Sequence, residues 1–276
     1  MRGEDHSARQ LKDDLMTFLI AGHETTAAVL TWALYLLSSH PEWMQRLTQE
    51  IDTILQDESP SMETLYRMVN LRLVLAEALR LYPQPPLLIR RSINADVIPG
   101  GKDGPPEGFP IGPGADLFIS SWNLHRSPHL WQDPDSFNPD RFREPFTNPE
   151  FNGDWAGYKP NLTGVSFYPN EATSDFAFIP FGGGGRKCIG DQFAFLESCV
   201  CLAMLLRRFK YNPRSFHSCI IPVCFSFELV DEDSVSMVSG ATIHTKSGLV
   251  MRLTRRQPPP SLQDTSPDAL VSTATP

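Results

Sequence analysis

From Leu11 to Ser39 the chain is apolar at almost every helical position; the stretch LMTFLIAGHETTAAVLTWALYLLSS leaves little polar face and predicts a long, buried helix. Roughly 23 residues between Leu15 and Leu37 would also suit a membrane span. His23, Glu24, Thr25 and Thr26 argue against it, because they would place a charge and three polar groups at the bilayer centre. Pro41 suits the first turn of a second helix to Leu55, and a shorter helix is expected over Met62–Met68. Another runs from Leu71 to Tyr82, stopped by Pro83, Pro85 and Pro86, and a last one from Asp191 to Arg208. Strand-like alternation is confined to Leu88–Ile98, Asp116–Ser120 and Leu249–Leu253. The pattern predicts a mainly α fold with small β-sheets. Residues 143–175 form a polar, Pro/Gly/Asn-rich segment longer than an ordinary connection, and the tail 258–276 has the composition of disorder. No internal repeat is visible.

Composition narrows the classes. Hydrophobic residues make up 41% and charged residues 20% of 276, which excludes a broadly disordered chain. Lys and Arg number 24 against 32 Asp and Glu, a net charge of -8, so a nucleic-acid partner is not expected. Five cysteines without a CxxC pair suggest neither a disulfide framework nor a zinc finger. On a helix Cys199 and Cys201 point to different faces, which favours burial over joint metal ligation. The polar, acidic start MRGEDHSARQLKDD fits neither a signal nor a transit peptide, so no targeting segment is expected within this chain.

Chemistry concentrates in FGGGGRKCIG, from Phe181 to Gly190. Four consecutive glycines permit positive φ and close backbone approach to a flat ligand, while Cys188 stands just before a helix start, where amide groups and the helix dipole favour a thiolate. The plainer reading is a glycine loop beside a structural cysteine. A phosphate-cradling loop fits less well, since no Ser or Thr follows Lys187 and the GxGxxG spacing fails. Two further groups need explaining. Glu77 and Arg80 in LAEALRLYP have apolar neighbours on both sides, so the pair is expected to be buried and to need a third hydrogen-bonding partner. AGHETT, from Ala21 to Thr26, puts a glycine, an acid and two threonines inside an apolar helix, a cost that function would justify. Otherwise Thr25 bonds back to the preceding turn and Glu24 finds a basic partner.

The cysteine segment resembles the haem-binding loop of the cytochrome P-450 family: Phe181, Gly184, Arg186, Cys188 and Gly190 occupy all five of its fixed positions. Chance would supply such a match in about one chain in ten thousand of this length. Gly185 replaces the proline of many members. The resemblance extends to the family's ExxR and PxRF motifs, implying a structural triad of Glu77, Arg80 and Arg141 that braces the proximal side of haem b. It implies Cys188 as the axial thiolate of the iron and Phe181, Gly182, Gly184 and Gly190 as cofactor contacts. AGHETT resembles the oxygen-activating helix, so Glu24 would deliver protons and Thr25 would steady the bound oxygen for heterolytic cleavage, aided by the thiolate. Arg186 takes the family's propionate position; alignment on Asp96 makes Arg91 the second propionate holder and Arg90 the lesser choice. Phe18, Ala21, Leu87, Leu88, Ile89 and Ile243 would line the substrate pocket.

YPQPPLLIRRS, SWNLHRSP, YPNEATSDFAFIPFGGG and SGATIHTKSGL are similar to plastid carotenoid ring hydroxylases of plants and algae. This similarity implies a monooxygenase acting on an apolar small molecule with O2, fed by ferredoxin or a flavoprotein reductase. A fatty-acid hydroxylase is the alternative, but many of those carry Glu where this chain has Ala21; a haem-thiolate isomerase or dehydratase suits the Glu24–Thr25 pair less. Lys187, Arg207, Arg208 and Lys210 form a candidate docking face for an acidic donor. Residues 1–257 resemble only the C-terminal portion of the cytochrome P-450 fold. An inactive truncated fragment is therefore a further expectation, with plastid location and membrane association implied through the part family members carry upstream.

Overall fold

Ser7 accepts a hydrogen bond from the Gln10 amide and starts α1 (Ala8–Ser39), which ends where His40 leads into Pro41. This computed structural model describes residues 7–101, 104–150, 157–159, 167–169, 176–209, 227–229 and 235–253. Pro41, lacking an amide hydrogen, opens α2 (Pro41–Leu55) at a position where none is needed. A reciprocal Ser61–Thr64 capping box starts α3 (Met62–Arg67). For α4 (Val69–Leu81), whose preceding Met68 makes no side-chain cap, the cap comes from another helix: the Glu50 carboxylate of α2 accepts the amides of Asn70 and Leu71, each at 2.9 Å.

Beyond α4 come β1 (Leu87–Arg91), β2 (Asp96–Ile98), β3 (Phe109–Ile111), β4 (Asp116–Ser120), α5 (Ser121–Leu124) and a 3-10 turn over Pro139–Phe142. They are followed by β5 (Phe146–Thr147), β6 (Gly157–Tyr158), α6 (Asp191–Arg208), β7 (Phe227–Leu229), β8 (Met237–Ser239), β9 (Ile243–Thr245) and β10 (Met251–Leu253). All described sheets are two-stranded and antiparallel: β1 with β4, β2 with β3, β5 with β6, β7 with β10, and β8 with β9. The mainly α fold with small sheets expected from the sequence is thus observed. The single stretch expected over Leu88–Ile98 is instead two strands of different sheets, because the chain turns after Arg91.

The core lies between the second half of α1, α2, α4 and α6, where Leu37, Leu47, Ile51, Val74, Leu75 and Leu202 are all shielded from water. A second aromatic layer stacks Trp131 on Tyr158 at 4.5 Å and adds Phe142 and Phe178. Cys199 is buried in this core, which pushes its thiol well above the ordinary range; Cys201 is half-buried. The expectation that α1 is buried throughout is corrected. Only Thr26–Ser38 contribute buried residues, while Leu15 and Phe18 are 68% and 63% exposed, since no described residue packs over the first half. Among the described residues no helix is long and apolar enough to cross a membrane. The tail 258–276 and much of 143–175 lie outside the described residues.

Candidate functional site

The buried acid–base pair is built within a single turn of α4. Glu77 and Arg80 face each other at i,i+3 on α4, both 0% exposed, with Arg80 Nε and Nη2 on the two carboxylate oxygens at 2.8 Å each. Arg141, on the 3-10 turn, adds Nε to Glu77 Oε1 at 2.9 Å, and the Asn138 amide donates to the same oxygen. Arg80 spends its remaining N–H groups on the carbonyls of His125, Pro134 and Ser136. The structure therefore brings Glu77, Arg80 and Arg141 together, two guanidiniums about one carboxylate, with the remaining N–H groups taken up by backbone carbonyls.

The glycine loop is shaped by three backbone hydrogen bonds: Gly182 N–H to Ile179 O, Cys188 N–H to Phe181 O, and Lys187 N–H to Gly184 O. Gly182 and Gly184 have φ of +76° and +67°, which a side chain would strain. Cys188 is exposed, three residues before the start of α6. Asp191 in the first turn of α6 accepts from the Tyr168 hydroxyl and pairs with Lys187, both at 2.6 Å; burial raises its carboxyl, but these two partners hold it below the usual range.

Between this loop and α1 lies a cavity of about 520 Å³. One wall is the α1 stripe Phe18, Ala21, Gly22, Thr25, Thr26 and Val29, spaced three and four residues apart. Phe181, Gly182, Arg186, Cys188, Gly190 and Phe193 form the opposite wall, with Leu75, Leu79, Gln84, Leu88 and Arg90 between them. Phe18, Ala21, Thr25, Leu88, Phe181, Gly182, Arg186, Cys188 and Gly190 are thus brought together as the sequence suggested.

Others are not. Along β1, Leu88 and Arg90 face the cavity whereas Leu87, Ile89 and Arg91 lie on the other face of the pleat. Arg91 is committed to Asp116 by two hydrogen bonds of 2.7 Å, which raise the guanidinium and lower the carboxyl from their ordinary values. Arg90, the lesser choice from the alignment, is the arginine at the cavity. Gly184 is outside its lining. Ile243 sits behind Gln84, whose amide bonds both its N–H and its carbonyl, while Trp32 Nε1 reaches the same carbonyl at 2.8 Å. Glu24 also lies outside the lining; its partner is neutral, the Thr242 hydroxyl that donates to its carboxylate. Thr25 Oγ1 donates to the Ala21 carbonyl at 2.8 Å, the back-bond weighed above. Residues the sequence did not single out include Gln84, Phe193 and Thr242.

The donor set fits haem. A thiol and apolar walls face one space, and neither Arg90 nor Arg186 meets a carboxylate among the described residues, so two cations stand ready for acidic groups of a ligand. Of the expected docking face, Lys187 is paired with Asp191 and Arg207 donates to the Gln56 and Glu58 carbonyls; Arg208 is exposed and Lys210 lies outside the described residues.

A haem-thiolate protein is the class this fold and cavity define. Residues 2–222 match the family model of cytochrome P-450, and the chain belongs to that family, whose members hold haem iron through a cysteine thiolate. The chain is 52% identical over 256 residues to Cytochrome P-450 97B2, chloroplastic, of Glycine max, covering 93% of this chain and 42% of the relative. It is 43% identical to Protein LUTEIN DEFICIENT 5, chloroplastic, of Arabidopsis thaliana, covering 98% of this chain and 39% of that protein. Identity to Carotene epsilon-monooxygenase, chloroplastic, of the same plant is 38%, over 92% of this chain and 39% of the relative. The chain thus spans about two fifths of the length of these curated relatives.

Proposed function

We propose that this chain carries the haem-binding and oxygen-activating part of a plastid monooxygenase that hydroxylates a carotenoid ring. The carrying observation is the cavity that joins Cys188 to two guanidiniums without carboxylate partners among the described residues, across an apolar space from Thr25. Cys188 Sγ would hold the iron, and Arg90 and Arg186 would pair with the haem carboxylates, which also keeps the charged edge of the group at one side of the cavity. When bound, haem supplies reduction of O2 and insertion of one oxygen atom into a C–H bond. The chain's own part is to keep the inner wall dry with the buried Leu75 and Leu79, and to manage protons at the α1 wall. Glu24, bonded to the Thr242 hydroxyl outside the cavity lining, would deliver protons, and Thr25, bonded to the Ala21 carbonyl within the lining, would present its hydroxyl to the cavity.

The apolar walls support an apolar substrate, and the names of the similar plant proteins support a carotene ring and a chloroplast location. Ala21 lines the cavity where many fatty-acid hydroxylases carry Glu, which favours the ring reading over that alternative. The donor would be ferredoxin or a flavoprotein reductase, with fewer unpaired basic groups to guide it than the sequence suggested.

The test joins this chain to the upstream portion of the soybean relative and expresses the chimera with ferredoxin in carotene-accumulating bacteria. Ferrous chimera with carbon monoxide should show the Soret band of thiolate-ligated haem, Cys188→Ala should lose it, and Arg90→Ala should weaken haem retention more than Arg91→Ala. Ring-hydroxylated carotene is the expected product. Retention of the band by Cys188→Ala would sink the ligand assignment, and fatty-acid products alone would sink the substrate.

A further inference from the structure

His125, within the SWNLHRSP stretch, is a histidine with no exposed surface to which no role has been assigned above. It follows α5, its amide bonded to the Ser121 carbonyl at 2.9 Å, so its backbone position is set locally. Its carbonyl accepts Arg80 Nη1 at 2.7 Å, which ties it to the buried Glu77–Arg80–Arg141 cluster. Its imidazole Nε2 accepts the buried Ile179 amide at 3.0 Å, and its ring lies 5.3 Å from that of Phe178. Ile179 in turn opens the cysteine loop: its carbonyl receives the Gly182 amide, and the Phe181 carbonyl next to that glycine receives the Cys188 amide.

An unbroken series of hydrogen bonds therefore runs from the carboxylate of Glu77 to the backbone of Cys188, and His125 is the one side chain in it between α4 and the loop. Carbonyl and imidazole of one residue face the two ends, so a shift of Arg80 moves the acceptor that the Ile179 amide requires. The geometry points to His125 as a positioning residue that transmits the order of the Glu77–Arg80–Arg141 cluster to the cysteine loop. Acting as an acceptor at Nε2, the ring must be neutral there. Burial and the positive charge of Arg80 keep it so, pushing its pKa down to about 3. The inference deepens the proposed function, since it concerns the loop that would hold haem, but it depends only on the chain's own contacts.

Amide hydrogen exchange on the chain without haem tests it, and so separates its failure from any failure of thiolate ligation. His125→Phe keeps a ring of similar size and removes the acceptor; His125→Gln places an amide oxygen near the position of Nε2. In the Phe variant the Ile179, Gly182 and Cys188 amides should exchange between ten- and a hundred-fold faster, while α4 amides keep their protection. The Gln variant should stay within about threefold of the parent at the loop, a rescue that mere core filling does not predict. Unchanged loop exchange in the Phe variant overturns the proposal. So does equal loosening in both variants, α4 opening in step with the loop, or failure of the Phe variant to fold.

Discussion

At the scale of single residues the two ionisable groups that matter most are held by opposite means. Glu77 is ringed by donors, the Arg80 and Arg141 guanidiniums and the Asn138 amide, whereas the buried His125 ring lies beside the positive charges of Arg80 and Arg126 and is held neutral. Burial acts first on His125, the Arg80 and Arg126 charges add to it, and the Arg80 and Leu79 carbonyls oppose it, so the imidazole falls from 6.5 to about 3. Below pH 6.5 the unfolded chain binds a proton that the folded chain refuses. Stability from this group is complete above 6.5 and is lost as pH falls toward 3, at about 1.4 kcal/mol per pH unit. Denaturant titrations at pH 7.5 and pH 5 should show the parent losing about 2 kcal/mol more than His125→Gln, which has no such titration. Equal losses in the two proteins would refute this account of the buried ring.

At the scale of elements, helices were legible where local chemistry sets their ends. Pro41 and the polar turn after Leu55 bound α2 as read from the sequence, and α6 likewise runs from Asp191 to Arg208. The start of α4 was less legible, falling at Val69 rather than Leu71, since its cap is a carboxylate from another helix and no local signal announces it. Glu50→Ala should lower thermal stability by about 1 kcal/mol and Glu50→Gln by less, since the amide keeps one acceptor for the two amides. A melting temperature unchanged in the Ala variant would show that the cap contributes nothing. Strand parity was hidden for a different reason. LLIRR has apolar residues on both faces, so only pairing with β4 decides that Arg90 rather than Arg91 faces the cavity. Contiguous motifs such as FGGGGRKCIG carry their geometry in their own backbone and could be read directly. The contact of Glu24 with Thr242, between residues 218 apart in sequence, could not.

At the scale of the whole molecule, the described surface is uneven. From Leu11 to Ile20, α1 exposes Leu11, Leu15, Met16, Phe18, Leu19 and Ile20, and across the cavity Ile189 and Phe193 are 90% and 69% exposed. Isolated apolar residues on a surface are ordinary, but neighbouring ones at helical spacing form a continuous patch that favours association in water. The stripe Phe18, Ala21, Gly22 and Thr25 faces the cavity, whereas Leu15, one turn before Phe18 on the same helix face, and Leu19 beside it form an outer stripe beyond the cavity lining. These two roles are separable by substitution. In sedimentation velocity the 276-residue chain should be associated at micromolar concentration, and the double variant Leu15→Glu, Leu19→Glu should shift it toward monomer by placing two charges on that stripe. Haem added to the two proteins should bind with the same affinity, because neither leucine lines the cavity. A parent chain that sediments as a monomer would remove the argument from the exposed patch; a double variant that loses haem binding would show that the outer stripe supports the cavity wall.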